Sequence, residues 1–485
     1  MTKFTRRDFL KIGGAGVAGA ATFPFLGRMA LAQSTDNFFT IAVISDSQFY
    51  NDGQVPQPLN LNIFKTQTNY LAQNISALKL RFVTHVGDVI EHGDCSSINY
   101  PGKTPPLPQT IEWTNATQAL DILHAAGIPF GLSIGNHDYD NMYASSQDVV
   151  YPPLVSTPNW WANYFGSGSK YFKGKSWYVG ASDNVGYIST GNKSAPGQYP
   201  PAGTRCNYGL SSAQVFSAGG KMFLHLSLEL EPGDAAIVWA QNVIDSYPNY
   251  ATIVTTHSYM SPPAWGDNTQ PTLQPGPNPD PAQYNAAQWM IGSPNGYNAA
   301  CDNANGGPGY NQLITHNQIW NKLIARNNQI FMVLCGHSWT GISTAANKDL
   351  LDQNGNPITG VSKGENLRID LNNSGNPVYQ ALTDYQGNIL LGSGSLTIDG
   401  GGGDGWYRFM QFDMTTGYIH FYTVNPCQTP FNQQTGQVIQ LAQATKAGQN
   451  VVYPDRNSDF DQPEGFSDFS LAMPVQVLNA PNGGH

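Results

Sequence analysis

The sequence predicts an α/β fold from three features: apolar runs of strand length, amphipathic segments between them, and polar residues where the runs end. The clearest run is IFMVLCGHSWTG at 330–341, in which six apolar residues end at Gly336 and His337 follows. An apolar run bounded by glycine is typical of a buried strand. We therefore expect His337 at the carboxyl end of a strand, where open α/β sheets bind their ligands.

The order strand, polar residue, helix recurs along the chain. The predicted strands are 38–45, 80–88, 128–138, 221–230, 251–257 and 330–335, and the predicted helices are 62–79, 111–127, 235–247 and 311–326. Gly127 is predicted to end the second of these helices. After residue 341 the pattern turns to strands, in VYQALTDYQ, GWYRFMQFDM and GYIHFYTV.

The composition indicates a globular chain with long loops. Charged residues make up only 12%, whereas 51 glycines and 33 prolines are present, and a hydrophobic fraction of 40% is enough for a packed core. Segments rich in Pro, Gly and Asn at 95–109, 139–210 and 261–310 look like insertions. We expect one domain over 33–430 that carries these insertions, and a C-terminal tail at 431–485 packed on it.

The first 32 residues have the pattern of an export signal. Arg6 and Arg7 precede a hydrophobic step and a Gly/Ala stretch, and Ala30-Leu31-Ala32 supplies small residues for cleavage before Gln33. This pattern is typical of the twin-arginine signal, so the export machinery of that route is an expected partner and the periplasm or the medium the expected location. No later run approaches the ~20 apolar residues of a membrane helix, so no transmembrane anchor is expected.

The charge of the mature chain limits the partners it can bind. Removing the signal takes away five basic residues and one acidic residue, so the formal net charge changes from −10 to −14. No cluster of Lys or Arg remains, which argues against nucleic-acid polymers and anionic membranes as partners.

The five cysteines, Cys95, Cys206, Cys301, Cys335 and Cys427, lie far apart, and none forms a CxxC pair. One or two disulfides are compatible with an oxidising compartment, with at least one thiol left over. The sequence leaves their pairing open.

Polar residues stand at the ends of five predicted strands. They are Asp46-Ser47-Gln48, Gly87-Asp88, Gly135-Asn136-His137-Asp138, His257 and Gly336-His337. Their side chains are mainly oxygen and imidazole donors, the groups that hold divalent cations. Any one of them alone is more often an ordinary turn residue. Five at the same end of successive strands predict a metal site.

In this order the motifs resemble those of the calcineurin-like metallophosphoesterase superfamily, whose pattern runs DxH, GD, GNH[DE], a single His and then GHxH. The resemblance extends over about 300 residues, from Asp46 to Trp339, and GNHD is its most specific part. LSLELEP at 226–232, DYQGN at 384–388 and DGWYRFMQFD at 404–413 look like an exported bacterial branch with DxQ in the first motif. The resemblance implies a four-layer αββα sandwich with long loop insertions.

The resemblance also implies one or two divalent ions in each chain. The ligands that it implies are Asp46, Gln48, Asp88, Asn136, His257 and His337. Asp88 would bridge the two ions, and the second site has all of its expected ligands. Mn, Mg, Ca, Fe and Zn remain open as the metals.

Two further residues carry catalytic roles in the resemblance. His137 would lie beside the substrate phosphate, where it neutralises charge or protonates the leaving oxygen, and Asp138 would orient that imidazole. The reaction implied is in-line attack by a metal-bound hydroxide on the phosphorus.

The first metal site departs from the family pattern at two positions. Gln48 stands in place of the usual histidine of the first motif, and Trp339 in place of the second histidine of the last. Indole cannot coordinate a metal, so oxygen donors remain and the preference shifts from zinc toward Mg²⁺, Mn²⁺ or Ca²⁺. Trp339 covers the substrate cleft or packs in the core, and His92 is a second cleft candidate or a solvated loop residue.

These observations predict an exported metal-dependent phosphoesterase that acts on a small-molecule or lipid-like phosphodiester or phosphomonoester. The alternative is a catalytically weakened binding protein of the envelope or surface that keeps one structural metal. Substrate, metal identity and oligomeric state stay open, because the same superfamily motifs serve several substrates.

Overall fold

The computed structural model describes residues 36–51, 59–91, 93, 111–138, 160–182, 185–186, 205–206, 209–230, 232, 234–260, 319–337, 346–351, 357–359, 365–385, 405, 407–424, 426, 431–432, 437–438 and 468–483, of which residue 92 and the other intervening positions are not part. The strands are β1 Phe38–Ile44, β2 Leu80–His85, β3 Phe130–Leu132, β4 Tyr178–Ala181, β5 Val185–Gly186, β6 Arg205–Cys206, β7 Ser212–Ala218, β8 Lys221–Ser227, β9 Ala251–Thr255, β10 Ile330–Cys335, β11 Ala346–Leu351, β12 Pro357–Thr359, β13 Glu365–Leu371, β14 Pro377–Thr383, β15 Tyr407–Asp413, β16 Tyr418–Val424, β17 Phe431–Asn432, β18 Gln437–Val438 and β19 Asp468–Ala472. The helices are α1 Gln48–Asn51, α2 Leu59–Gln73, α3 Ile75–Leu78, α4 Ile111–Ala125, α5 Trp160–Phe165, α6 Asp234–Ser246, a π-helix Trp320–Ile324 and α7 Val475–Leu478.

A six-stranded mixed sheet, the first sheet, has the order β19-β16-β15-β1-β2-β3. β1 runs parallel to β2, and β2 runs parallel to β3, whereas β15 pairs antiparallel with β1. Because the three parallel strands point the same way, the residues that follow them meet at one edge of the sheet.

A seven-stranded mixed sheet, the second sheet, has the order β13-β14-β10-β9-β8-β7-β4. β8, β9, β10 and β14 are mutually parallel along this order, and β7, β13 and β4 are antiparallel to their neighbours. The central strand β10 is buried at all six positions, which explains its unbroken apolar sequence.

The two sheets face each other across an apolar layer. Phe39 of the first sheet lies 5.4 Å from Phe223 of the second, and Phe331 of the second lies 6.2 Å from Phe412 of the first, between ring centroids. Side chains on β1 alternate between this layer, which contains Ile41 and Val43, and a second cluster with α2 and α4, which contains Ala42 and Ile44.

A third cluster covers the other face of the second sheet. It joins β8, β9 and β10 to α6 and the π-helix through side chains such as Leu224, Val254, Val333, Ile237 and Leu323. The α/β prediction is therefore confirmed, with two large mixed sheets. The order of four layers stays a prediction.

A strand forms within each predicted strand of the parallel core, although β3 covers only Phe130–Leu132 of the predicted 128–138 and β2 ends at His85. The stop at Gly127 also agrees: α4 ends at Ala125, and Gly127 has a φ of 72°, a conformation that glycine adopts without steric cost. Of the predicted helix 311–326 only 319–326 is described, and its regular part is the π-helix.

Several strands, among them β4, β7, β13 and β19, were not predicted or were assigned to loops or to the tail. β7 and β13 have mixed polar and apolar sequences that did not stand out. β4 lies inside the predicted insertion 139–210, which also contains α5, and it pairs with β7 in the second sheet. In the predicted tail, β19 pairs with β16 and so forms the edge of the first sheet.

Two histidines are fully buried in the strands, His85 in β2 and His225 in β8. Burial lowers the pKa of each to about 3, and for His85 the positive charge of His257 lowers it further. Both imidazoles are therefore neutral in the folded protein at neutral pH.

We expect stability to fall as the pH decreases from about 6.5 toward 3, because the unfolded chain binds protons on these histidines that the folded chain does not. Each group contributes a slope of about 1.4 kcal/mol per pH unit within that window. Urea unfolding of His225→Gln should show a pH slope that is shallower than wild type by about one proton. Equal slopes in the two proteins would contradict the neutral, buried state of His225.

Candidate metal centre

The strand-end residues predicted from sequence converge where the two sheets meet. Asp88 and Asn136 follow strands of the first sheet, and His257 and His337 follow strands of the second. His257 Nε2 lies 3.1 Å from Asp88 Oδ2 and 3.1 Å from Asn136 Oδ1. Asp88, His257 and His337 each offer a ligand atom, and these atoms lie within 4.8 Å of one another.

Three of these turns have a strained backbone. Asp46, Asp88 and His337 have φ values of 40°, 53° and 69°, in the left-handed region that side chains rarely adopt. Such a residue costs on the order of 1–3 kcal/mol, so it persists only where the surroundings hold it. Each of these residues comes two or three positions after the end of a strand, and its side chain belongs to the same cluster of donors.

Glycines allow the turns to approach each other. A Cβ on Gly135 would collide with the carboxylate and backbone nitrogen of Asp88, and a Cβ on Gly336 would collide with the carboxylate of Asp46. The glycines of the Gly-Asn-His and Gly-His motifs are therefore required by close contact with the acidic side chain of another strand.

The imidazole of His257 is placed like a metal ligand. Its Nδ1 lies 3.0 Å from the carbonyl oxygen of Val86, which can only accept, so Nδ1 carries the hydrogen. Its Nε2 then faces two oxygen atoms, Asp88 Oδ2 and Asn136 Oδ1. A neutral ring would direct a lone pair at these oxygens, so the arrangement requires either a second proton or a cation among them.

The charges around His257 agree with this geometry. Burial alone would lower the pKa of His257, but the charge of Asp88, its hydrogen bond and the charge of Asp138 raise it. Burial likewise opposes the ionised form of Asp88, but His257 and His137 lower the pKa of that carboxyl below its usual range. The negative charge of Asp88 therefore favours a positive charge at this position, from a proton on His257 or from a bound cation.

Asp46 and Gln48 belong to the same cluster: Asp46 Oδ1 lies 3.9 Å from His257 Nδ1, and Gln48 contacts Asp88. Asp46 Oδ1 accepts a hydrogen bond of 3.1 Å from His337 N, and Asp46 Oδ2 is buried and bonds to no polar atom in the described part of the chain. Burial, then the charges of Asp384 and Asp88, raise the pKa of Asp46 well above its usual value. A cation beside Asp46 Oδ2 would give this oxygen a partner and would offset the repulsion between the buried carboxylates. The residues present therefore fit a divalent ion.

Gln48 donates from Nε2 to Asp88 Oδ2 over 3.3 Å. In this orientation its amide nitrogen, which cannot coordinate a metal, faces the shared carboxylate. The neighbouring Ser47 is held by His85: Gly87 N–H donates to His85 Nδ1, so His85 Nε2 carries the hydrogen and lies 3.0 Å from Ser47 Oγ. His85 thereby joins the turns that carry Asp46 and Asp88.

His137 lies at the accessible side of the cluster, with 18% of its side chain exposed. Its Nδ1 is 3.1 Å from Glu91 Oε2 and 3.0 Å from the Glu91 carbonyl oxygen, and its Nε2 is 3.9 Å from Asp88 Oδ2. Burial would lower the pKa of His137, but the charges of Glu91 and Asp88 raise it to about 10. The two carboxylates therefore favour the protonated form of this imidazole.

Asp138 accepts hydrogen bonds from three backbone N–H groups, and its predicted role in orienting His137 stays a prediction. Asp138 Oδ1 accepts hydrogen bonds from Val89 N and Ile90 N at 2.9 and 3.0 Å, and Asp138 Oδ2 accepts one of 2.8 Å from Gly135 N. These bonds fasten the Asp88 turn to the Asn136 turn. Glu91, which sequence reasoning missed, is the acid beside the His137 ring. Its signal was an acidic residue three positions after Asp88.

Burial first, and then the charge of Asp88, raise the pKa of Asp138 to about 7. The three backbone hydrogen bonds have the opposite effect, because they favour the ionised carboxylate. Through these bonds the side chain links the two turns.

Some predicted residues cannot be placed. The cleft candidates His92 and Trp339 lie outside the described residues. Cys335 is a buried free thiol, and the side chains of the other four cysteines are not described.

Comparison with known proteins identifies the export signal. The model of the twin-arginine translocation pathway signal sequence matches residues 3–23. The chain is therefore a periplasmic or secreted protein exported by the twin-arginine route. Among the described residues, no helix is long and apolar enough to cross a membrane.

One relative in sequence is YvnB of Bacillus subtilis (strain 168), an uncharacterized protein. It is 23% identical over 390 residues, which are 80% of this chain and 20% of that protein. The chain thus spans about a fifth of the length of this relative.

Comparison with solved structures also gave matches at low identity. The 5'-nucleotidase precursor of Thermus thermophilus has 10% identity and a TM-score of 0.29, with 92% of this chain and 56% of that chain covered. A dimetal phosphatase of Danio rerio has 10% identity and a TM-score of 0.28, with 80% and 96% covered. The NAD nucleotidase of Haemophilus influenzae has 12% identity and a TM-score of 0.28, with 78% and 47% covered.

Gly135 lies so close to Asp88 that a methyl group at this position would collide with the carboxylate. Gly135→Ala should displace the Asp88 carboxylate and weaken Mn²⁺ binding by about tenfold or more, as measured by calorimetric titration of the mature protein. Gly168→Ala is the matched control, because no atom lies within 4 Å of a Cβ at that position. If both variants bind Mn²⁺ like wild type, Asp88 is not a ligand in this geometry.

Proposed function

We propose that this protein is an exported metal-dependent phosphoesterase. The observation that carries the proposal is the His257 ring, whose Nδ1 is fixed by the Val86 carbonyl and whose Nε2 faces Asp88 and Asn136. An imidazole held in this way is the usual form of a metal-binding histidine. The order of the motifs, which resembles that of metallophosphoesterases, supports the same function.

Two ion positions follow from the donors. One would be held by Asp88, Asn136, His257 and His337, a set with both oxygen and nitrogen atoms. The other would be held by Asp46, Asp88 and the Gln48 amide oxygen after rotation of that amide, a set of oxygen atoms. The second set suits Mg²⁺, Mn²⁺ or Ca²⁺ better than zinc. Asp88 belongs to both sets.

Bound divalent ions would neutralise the phosphoryl oxygens and lower the pKa of an attacking water. The chain itself supplies the proton for the leaving group. His137 is accessible, and Glu91 holds its Nδ1, so Nε2 is the atom that can donate toward a leaving oxygen. The Glu91 carboxylate stabilises the protonated ring before the transfer.

The substrate that we propose is a small phosphodiester, or a nucleotide-like or lipid-like phosphate ester. A mature net charge of −14 repels extended polyanions, so a nucleic-acid polymer is disfavoured.

A binding protein that keeps one structural metal is the alternative. It is favoured by the ion position of Asp46 and Gln48, where the Gln48 amide nitrogen is directed toward Asp88 and Trp339 replaces a histidine of the family pattern. Under this alternative the mature protein loaded with Mn²⁺ would bind metal but would not hydrolyse phosphate esters.

The two functions are separated in Mn²⁺ by hydrolysis of glycerophosphocholine, a phosphodiester whose alkoxide leaving groups must take up a proton. The wild type should turn this diester over, and His137→Ala should lower kcat by about 10²- to 10⁴-fold while Mn²⁺ binding is retained, because the proton donor is lost. His420→Ala is the matched control, since His420 bonds to Ser470 on the first sheet. Its kcat should equal that of wild type.

Glu91→Gln serves as the second variant in this assay. Loss of the carboxylate should lower kcat with little change in KM, because Glu91 acts on the proton donor and not on substrate binding. If both His137→Ala and Glu91→Gln retain wild-type turnover, His137 is not the acid, and if the wild type is inactive toward diesters and monoesters the phosphoesterase proposal fails.

A further inference from the structure

A group of polar side chains crosses the apolar layer between the two sheets. We define this inter-sheet clamp as Thr84 of β2, Gln214 of β7, His225 of β8 and Thr255 of β9, all of which are completely buried. Thr84 belongs to the first sheet and the other three to the second. Phe82, Phe216 and Phe223 surround the clamp in the same layer.

The hydrogen bonds of the clamp form one consistent pattern. His225 Nδ1 lies 2.8 Å from Gln214 Oε1, and the amide nitrogen of Gln214 donates to Ser212 Oγ, so the oxygen faces the ring and Nδ1 carries the hydrogen. His225 Nε2 is then an acceptor. It lies 2.8 Å from Thr255 Oγ1 and 3.0 Å from Thr84 Oγ1.

The two hydroxyls complete the pattern across the sheets. They are 3.1 Å apart, so one donates to His225 Nε2 and the other donates to the first hydroxyl. Each of the donors and acceptors involved thus has a partner in a neutral network. Residues 84 and 225, which are 141 positions apart in the chain, are held together by this geometry.

The clamp adjoins three of the strand ends that carry proposed ligands. Thr84 stands four positions before Asp88, and Thr255 stands two positions before His257. Ser133, three positions before Asn136, donates from Oγ to the Thr255 carbonyl oxygen over 3.0 Å. The polar contacts between the sheets therefore involve residues two to four positions before Asp88, Asn136 and His257.

We infer that His225 is a positioning residue for the metal centre, acting through Thr84 and Thr255 to set the separation of the strand ends that carry Asp88 and His257. This inference rests on the proposed metal-dependent function. Apolar side chains alone would hold the sheets together but would tolerate small shifts between them. Directional hydrogen bonds fix the register of the two sheets to within a few tenths of an ångström.

The backbone of β3 is adapted to the clamp. A Cβ on Gly131 would collide with Gln214 Oε1 and with Nδ1 and Cε1 of His225. The first sheet therefore contacts the ring directly at this point, and the lack of a side chain on Gly131 permits it.

The test compares Mn²⁺ affinity with thermal stability in variants of the mature protein. Thr84→Val and Thr255→Val keep the side-chain shape and remove one hydroxyl each. We expect each to weaken Mn²⁺ binding by about tenfold in calorimetric titration, as is usual for residues that orient metal ligands. Thr255→Ser, which restores the hydroxyl, should recover most of the affinity.

Phe39→Leu is the control for general loosening of the sheets. Phe39 contacts Phe223 across the same layer near the other end of the strands, so this variant should lower Tm and leave Mn²⁺ affinity unchanged. A purely structural clamp would give Thr→Val variants that lose Tm and bind Mn²⁺ like wild type, which overturns the inference alone. A wild type that binds no Mn²⁺ overturns the inference together with the proposed function.

Discussion

The hydrogen bond from His257 Nδ1 to the Val86 carbonyl oxygen links the two sheets at the point where the chemistry is proposed. Val86 follows β2 of the first sheet, and His257 follows β9 of the second. Because this bond assigns the hydrogen to Nδ1, Nε2 must face Asp88 and Asn136 as a lone pair or as a charged N–H. The placement of Asp88 and Asn136 beside Nε2, and the charges around it, depend on this arrangement.

Several turns around the centre adopt backbone conformations that cost free energy. Asp46, Asp88 and His337 adopt left-handed backbone conformations, and Asp138 holds two of the turns together through three backbone N–H groups. Several carboxylates are thereby buried close to one another, with proton affinities shifted in opposite directions. Divalent cations relieve this repulsion, which is why a metal is expected to stabilise the folded protein as well as to take part in catalysis.

The sequence was sufficient to predict the parallel strands and the residues at their ends, because both are local features. An apolar run such as 330–335 marks a strand, and a polar residue after a glycine marks its end. Assignment of the strands to two separate sheets required the structure, since nothing local distinguishes β2 from β9.

Contacts between distant residues account for what the sequence did not reveal. Asp138 follows His137, and the sequence did not reveal that its carboxylate binds the nitrogens of Val89 and Ile90, 49 and 48 positions away. His225 lies within the predicted strand 221–230. It is in the core, but its partners include Thr84 of the other sheet. Its partner Gln214 is one of the polar residues that made β7 difficult to predict from sequence.

The most direct test of the metal centre is the metal-to-protein ratio of the mature protein and of His257→Ala, both purified without chelators and measured by elemental analysis. We expect one or two divalent ions per chain in the wild type and a clear loss in the variant. His257 Nε2 is a proposed ligand atom and lies 3.1 Å from both Asp88 Oδ2 and Asn136 Oδ1. A wild type without divalent metal, or a variant with the same content, would contradict this expectation.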